Sequence, residues 1–338
     1  MHTHEIGAKN IAYLDGWRGL AISALLIGHF LPFPGINFGA VGVNLFFVLS
    51  GLLMGSLLFE KHEPIARFYR RRIARIIPAH LTFVALVTVI YAVIGIPINY
   101  RELLAALFFV NNYVGPEGGP GTALLPFGHI WSLSVEEHCY VALSIIAIAA
   151  RKRLFSASTG VGILLIVCVS LVLLYQWFNP LGLVHTYWLQ TEVASFGLLV
   201  TALWTSVGRP FPSKRLPAAL APVLIAVGIA LHWWSIPPAL QRLLGVGCFA
   251  MAICTLTVTA GWYASLLSWA PLRQIGLCSY SLYLWQQPFY LWLHGDEHRS
   301  SLLALALALT CGLVSYYVVE RPARRYLNKH WRARKSDA

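Results

Sequence analysis

The 338-residue chain is 58% hydrophobic and 11% charged, with a formal net charge of +12. Soluble domains carry about 25% charged residues, so this composition, with a mean hydropathy of +0.66, excludes an ordinary soluble domain. Apolar runs of roughly 18 residues recur, long enough to cross a hydrocarbon core of about 30 Å. A membrane β-barrel would instead show alternating segments of about ten residues. The expected fold class is all-α, a polytopic membrane protein.

In chain order, about ten spans are predicted. They fall near 18–34, 41–59, 77–96, 129–150, 160–178, 186–206, 217–234, 240–261, 275–293 and 302–320. RELLAALFFVNN (101–112) is apolar but too short to cross, and is placed in a surface loop or at the interface. No cleaved secretory leader is expected: the first apolar run begins only after MHTHEIGAKNIAYLDGWRG and lacks a small-residue cleavage pattern. The Gly- and Pro-rich connection NNYVGPEGGPGTALLPFGH (111–129) has the length of a binding loop or lid. The six cysteines all lie in apolar segments without metal-type spacing and read as small buried hydrophobes.

Charge orients the spans. KHEPIARFYRRRIAR follows the second span, RKR (151–153) the fourth, GRPFPSKR the sixth, Arg273 the eighth and RPARRYLNKHWRARK the last. If the spans alternate, every Lys and Arg except Arg101, Arg242 and Arg299 falls on one side. That asymmetry predicts both termini in the cytoplasm. The basic balance is thus topological and requires no nucleic-acid partner, although such a face can also hold anionic lipid or a phosphorylated ligand.

Ionisable groups inside spans are costly and mark candidate sites. Arg18 and His29 stand eleven residues apart in LDGWRGLAISALLIGHF. On a helix that spacing leaves them about 20° apart around the axis and about 16 Å apart along it. Arg18 at the cytoplasmic mouth suits an anion or a snorkelling anchor, and His29, expected near mid-membrane, suits proton chemistry. The fourth span begins HIWSLSVEEHCYV, with Glu136 and Glu137 about two turns in. Adjacent side chains point about 100° apart, so one glutamate is expected to face a site while the other pairs with an arginine or a backbone group. His138 beside them could act as a ligand or base.

Arg70, Arg71, Arg72 and Arg75 cluster at the mouth of the third span. Such a cluster suits phosphate recognition through planar, charge-assisted hydrogen bonds, and equally suits a positive-inside anchor. Glu192 in the sixth span is expected to be buried and paired. HGDEH (294–298) has the look of metal ligation but reads as a solvated turn, and His2 and His4 are assigned no role.

Six segments in order carry a family resemblance: LDGWRGLAISALLIGHF, GVNLFFVLSGLLMG, FYRRRIARIIPAH, WSLSVEEHCYV, GLCSYSLYLWQQPF and VVERPARRYL. The chain resembles acyltransferase family 3, the integral membrane O-acyltransferases, from about residue 12 to residue 327. The resemblance implies a single membrane-embedded acyltransferase domain over 1–338 in a bacterial inner membrane. It implies transfer of an acyl group, most often acetyl, from cytoplasmic acyl-coenzyme A to a hydroxyl of a glycan, glycolipid or other extracytoplasmic or membrane-associated acceptor. Many members carry an appended SGNH hydrolase-like domain; with about eleven residues after its last motif, this sequence resembles the stand-alone members.

Within that resemblance, Arg18, Arg71, Arg72 and Arg75 would hold the donor's phosphates. His29 would act as general base on the acceptor or on an enzyme nucleophile, with Glu136 or Glu137 orienting it or binding sugar hydroxyls. Ser132, Ser134 and Tyr140 are relay or oxyanion candidates, and no metal is expected. Four positions depart from the family pattern: Asn44 stands where Asp is usual, His138-Cys139 replaces Gln-Phe, and Gln286 replaces a histidine. Gln286 cannot serve as a base, which shifts the chemistry toward His29. The alternative class is a transporter of a lipid-linked saccharide with a His/Glu proton relay. The Gln286 substitution also fits a catalytically lapsed sensor.

Overall fold

The computed structural model describes residues 12–31, 33–114, 125–179, 187–208, 216–256, 262–295 and 298–333. His2, His4, Asp296, Glu297 and most of the 111–129 connection lie outside the described residues. The described residues are helical throughout, joined by turns and one isolated bridge between Ile36 and Trp233. In chain order the helices are α1 (Ala12–Phe30), α2 (Phe38–Gly55), α3 (Ile65–Val93), α4 (Tyr100–Leu107), α5 (Trp131–Arg151) and α6 (Ala157–Phe178). Then come α7 (Thr191–Ala194), α8 (Phe196–Ser206), α9 (Leu220–Ala230), α10 (Pro238–Leu240), α11 (Val246–Leu256), α12 (Trp262–Leu267), α13 (Ala270–His294), α14 (Ser301–Ser315) and α15 (Arg321–Ala333). Wider, π-helical segments at Ser56–Glu60, Gln241–Gly245 and Tyr316–Glu320 extend α2, join α10 to α11, and join α14 to α15.

Six of these helical stretches are long and apolar enough to cross a membrane: Phe38–Glu60, Ile65–Val93, Gly128–Arg151, Ala157–Phe178, Pro238–Leu256 and Ser301–Trp331. Four predicted spans are not among them; the ninth is the 25-residue α13 (Ala270–His294), long enough to cross but less apolar than these six, and three others take another form. The first begins at Ala12 and ends at Phe30, before LPFP, whose prolines lack the amide hydrogen a helix needs. The sixth is broken: a 3-10 turn at Tyr187–Leu189 precedes four-residue α7, and Ser195 separates it from α8. The seventh contracts to α9, whose eleven residues rise only about 16 Å.

Local signals set several starts. Asn37 accepts from the Ala40 amide to cap α2, Asn99 from the Arg101 and Glu102 amides to cap α4, and Ser156 from the Thr159 amide to cap α6. Helix α4 falls where the short interfacial segment was expected, and it closes on Phe109 with a left-handed backbone, φ 55°.

The chain forms two compact units, Met1–Glu60 with Ile145–Pro180 and Glu192–Ser279, and Lys61–Ser144 with Leu181–Thr191 and Tyr280–Ala338. In the first, α1 packs along α2, α2 along α8, and α9 along α11. Trp17, fully buried, donates its indole N–H to the Leu45 carbonyl at 2.9 Å and so ties α1 to α2. Lipid tails are as apolar as leucine, so helices associate in a membrane through close packing and polar bonds. The second unit has its own core, where Phe83, Val84 and Val87 of α3 meet Ala106 of α4, Phe127 and Leu284.

Candidate functional site

In the first unit, uninterrupted α1 keeps Arg18 and His29 on one face, about 16 Å apart. Arg18 donates from Nη1 to Asp15 Oδ1 at 2.8 Å, a pair spaced three residues apart. Asp15 escaped the sequence reading because the apolar run was started at residue 18, a turn too late. His29 stands in the last turn of α1. Its ring lies against the first turn of α2, where a Cβ at Gly39 would come within 3.2 Å of His29 Nε2. Glycine is what lets the imidazole approach that closely.

The same unit holds a buried polar chain. Gly228 accepts from His232 Nδ1 at 2.7 Å, which leaves His232 Nε2 to accept from Asn44 Nδ2 at 3.0 Å. Asn44 Oδ1 in turn accepts from Arg242 Nη1 at 3.0 Å. This chain fixes the imidazole tautomer and both ends of the Asn44 amide. Arg242 is carried by the π-helical segment Gln241–Gly245, a geometry common at functional sites. Sequence reading noted Asn44 and Arg242 separately and missed His232. The usable signal was a histidine in HWW at the edge of an apolar run.

In the second unit, Arg72 of α3 meets both a carboxylate and an aromatic ring of α5. Its Nη2 lies 2.7 Å from Glu137 Oε1, and its guanidinium sits 3.4 Å from the centre of the Tyr140 ring. Tyr140 donates its hydroxyl to Glu136 Oε2 at 2.6 Å. The adjacent glutamates therefore address different partners. Arg71 pairs with Glu63 at 3.2 Å. Arg75, with Arg324, lies within electrostatic reach of Glu320, whose buried carboxylate accepts from Ser281 Oγ at 2.6 Å. Glu320 was quoted only as part of a motif, and its burial on a π-helical turn marks it as a member of this arginine-rich end.

Tyr283 donates to the His129 carbonyl, so the 2.6 Å contact between Ser132 and Tyr283 has Ser132 as donor. Ser134 donates to the Ile130 carbonyl at 3.1 Å. His138 Nδ1 lies 2.7 Å from Thr191 Oγ1. Gln286 is fully buried and donates to Gln287 Oε1 at 3.2 Å. Glu192, of the first unit, is partly exposed. Among the described residues, no group of three or more His, Cys, Asp or Glu is placed to hold a metal ion.

The family model described as an acyltransferase domain, the third of the acyltransferase families, matches residues 11–320. The chain is 28% identical over 359 residues to Bacillus subtilis (strain 168) YrhL, which bears the provisional name of a peptidoglycan O-acetyltransferase. That alignment covers 94% of this chain and 55% of YrhL. It is 26% identical over 343 residues to the O-acetyltransferase OatA of Staphylococcus aureus (strain NCTC 8325 / PS 47), covering 92% of this chain and 57% of OatA. The chain thus spans somewhat more than half the length of these relatives. No solved structure matches it.

Proposed function

Since the chain belongs to acyltransferase family 3, we propose that it is a membrane O-acyltransferase, moving an acetyl group from acyl-coenzyme A to a hydroxyl of a glycan or glycolipid. One observation carries the reading: a single unbroken helix, α1, presents an arginine in its second turn and a histidine in its last turn on the same face. An arginine can hold a phosphate. A histidine one pantetheine length away can accept a proton from a hydroxyl.

The proposed step is balanced. His29 takes the acceptor's hydroxyl proton as that oxygen attacks the thioester carbonyl; the C–O bond forms, the C–S bond breaks, and the coenzyme A thiolate leaves and collects the proton. Arg18, Arg71, Arg72 and Arg75 are assigned to donor phosphates. Of these, Arg71 and Arg72 are engaged by Glu63 and Glu137, so phosphates would compete with those carboxylates. Glu136 and Glu137 are assigned to orienting groups or to acceptor hydroxyls. Residues 1–338 are read as a single acyltransferase domain in a bacterial inner membrane, with both termini cytoplasmic.

The test is coenzyme A release and label transfer from [14C]acetyl-coenzyme A in membranes, with His29→Ala beside wild type. Loss of a general base costs about 10²–10⁴-fold, so transfer should fall at least a hundredfold at unchanged protein level. Near-normal turnover would sink the assignment. The broken segment at Ser195 favours a second reading, because discontinuous helices mark the binding sites of transporters. Saccharide movement driven by a proton gradient, without coenzyme A release, would select it.

A further inference from the structure

The last helical stretch carries a basic surface outside the residues assigned to acyl transfer. SLLALALALTCGLVSYYVV (301–319) contains no Asp, Glu, Lys, Arg or His. As a helix it rises about 28 Å, close to the full depth of a hydrocarbon core of about 30 Å. After Glu320, helix α15 follows with RPARRYLNKHWRA, which holds Arg321, Arg324, Arg325, Lys329 and Arg332 and no acidic residue. With 301–319 crossing the core, the first turns of α15 emerge at the depth of the lipid headgroups. Within the second unit, α15 packs against α3 and against the π-helical Tyr316–Glu320.

Burial settles which face looks outward. Glu320, 2% exposed, is turned inward within electrostatic reach of Arg75, and Ala323 and Leu327 are partly buried. Val314 and Val318, by contrast, are 56% and 68% exposed. Just beyond them Arg321, Arg325, Tyr326 and Lys329 are exposed as well. Arg325 and Lys329, four residues apart, are neighbours on the helix surface. Among the described residues, neither makes an ion pair. An exposed apolar strip thus runs, at headgroup depth, into exposed cations. An acidic protein or a nucleic acid in water would meet the cations but has no use for the valines beneath them. An anionic phospholipid brings a phosphate for the guanidinium and acyl chains for the valines. An exposed tyrosine is also favoured at that depth.

We propose that Arg321, Arg325 and Lys329 bind the headgroup of an anionic phospholipid whose acyl chains lie along Val314 and Val318. The surface is separate from the arginines of α3 assigned to donor phosphates, two of which are already engaged by Glu63 and Glu137. It needs neither acyl donor nor acceptor, and it holds whichever side of the membrane α15 emerges on.

The experiment is native mass spectrometry of the full chain in detergent, with equal amounts of dioleoyl phosphatidylglycerol and dioleoyl phosphatidylcholine added. The two lipids share acyl chains and phosphate and differ in net charge. Wild type should retain phosphatidylglycerol at least tenfold over phosphatidylcholine. A basic residue at an anionic membrane surface contributes about fivefold, so Arg325→Gln and Lys329→Gln should each lower the preference by about that factor. The double variant should erase it, while Arg325→Lys should keep most of it. All four positions of change are exposed, so the melting temperature should hold. Lys152→Gln removes an exposed charge just past α5 and should leave the preference as it was. Equal retention of both lipids by wild type would overturn the proposal, and so would an undiminished preference in the double variant. A loss of the same size in Lys152→Gln would reduce the effect to net charge and overturn it too. Glycerol 3-phosphate should not displace the lipid at equal concentration; displacement would make this a site for soluble phosphates and refute the lipid assignment.

Discussion

At the scale of single residues, Glu136 and Glu137 are the most informative pair. Neighbours in sequence, they are separated by what the fold gives each of them. Glu137 balances the guanidinium of Arg72, which is 12% exposed in its side chain, and Tyr140 covers the other face of that cation. Removing one member of a buried pair costs about 3–5 kcal/mol because the other charge is left uncompensated; partial exposure here reduces that to roughly 1–3 kcal/mol. Glu136 accepts the Tyr140 hydroxyl, a bond that the amide oxygen of glutamine can also accept, and it acts on Arg72 through its charge while Glu137 makes the direct ion pair. Glu137→Gln should therefore lower the melting temperature in detergent, and Glu136→Gln should lower it less. If Glu136 serves acceptor or base, acetyl transfer will fall in the Glu136→Gln protein despite its intact fold. A Glu136→Gln protein less stable than Glu137→Gln would refute this division.

At the scale of elements, α1 and α2 meet through small residues. A Cβ added at Gly28 would strike the Gly39 amide nitrogen, and one at Gly42 would come within 2.6 Å of the Ala21 carbonyl. Backbone cannot step aside as a side chain can. Gly28→Ala should accordingly destabilise the fold, lowering the melting temperature. Gly39→Ala differs, because the added methyl meets the His29 ring at 3.2 Å and the ring can yield by a few tenths of an ångström. A misplacement of about 1 Å at a catalytic group can cost about 10²-fold, so a smaller shift should lower kcat by roughly 5–10-fold with the melting temperature held. Unchanged kcat would separate His29 from the chemistry.

These helices also show what a sequence can and cannot reveal. The apolar runs gave away α2, α5, α6 and α14, because the membrane-crossing length is written directly into composition. The spacing of Arg18 and His29 fixed their common face, since both lie on one helix. The break at Ser195 was not legible: no Gly or Pro in YWLQTEVASFG (187–197) before Gly197 announces it. That one glutamate pairs with an arginine was expected, but not that Glu137 and Arg72 are the partners, nor that Asn44 meets His232; these partners are 65 and 188 residues apart. Such pairs depend on which helix faces merge, and charge alone gave Arg72 several possible partners.

At the scale of the whole molecule, orientation decides what His29 can reach. RKR (151–153) and GRPFPSKR (208–215) are placed on one side by the positive-inside rule. If both lie on one side, the chain between them crosses once as α6 and returns over the broken stretch from Tyr187 to Ser206. In that orientation the opposite side takes the turn after α9, which joins the connection between α1 and α2: Asn37 donates its amide to the His232 carbonyl at 3.0 Å, and Trp234 donates to that of Gly35 at 2.7 Å. His29, in the last turn of α1, belongs to that same end. The consequence is that the acyl group would be handed over close to the outer face, while the donor's phosphates stay about 16 Å away at the level of Arg18. An acceptor would then need no deep entry. This is tested in a background with the native cysteines replaced. A membrane-impermeant maleimide should label Ser235→Cys in intact cells, and Lys152→Cys only after permeabilisation. The reverse pattern would put His29 at the cytoplasmic end, where an extracytoplasmic acceptor could not meet it, and the acceptor would have to be sought inside the cell.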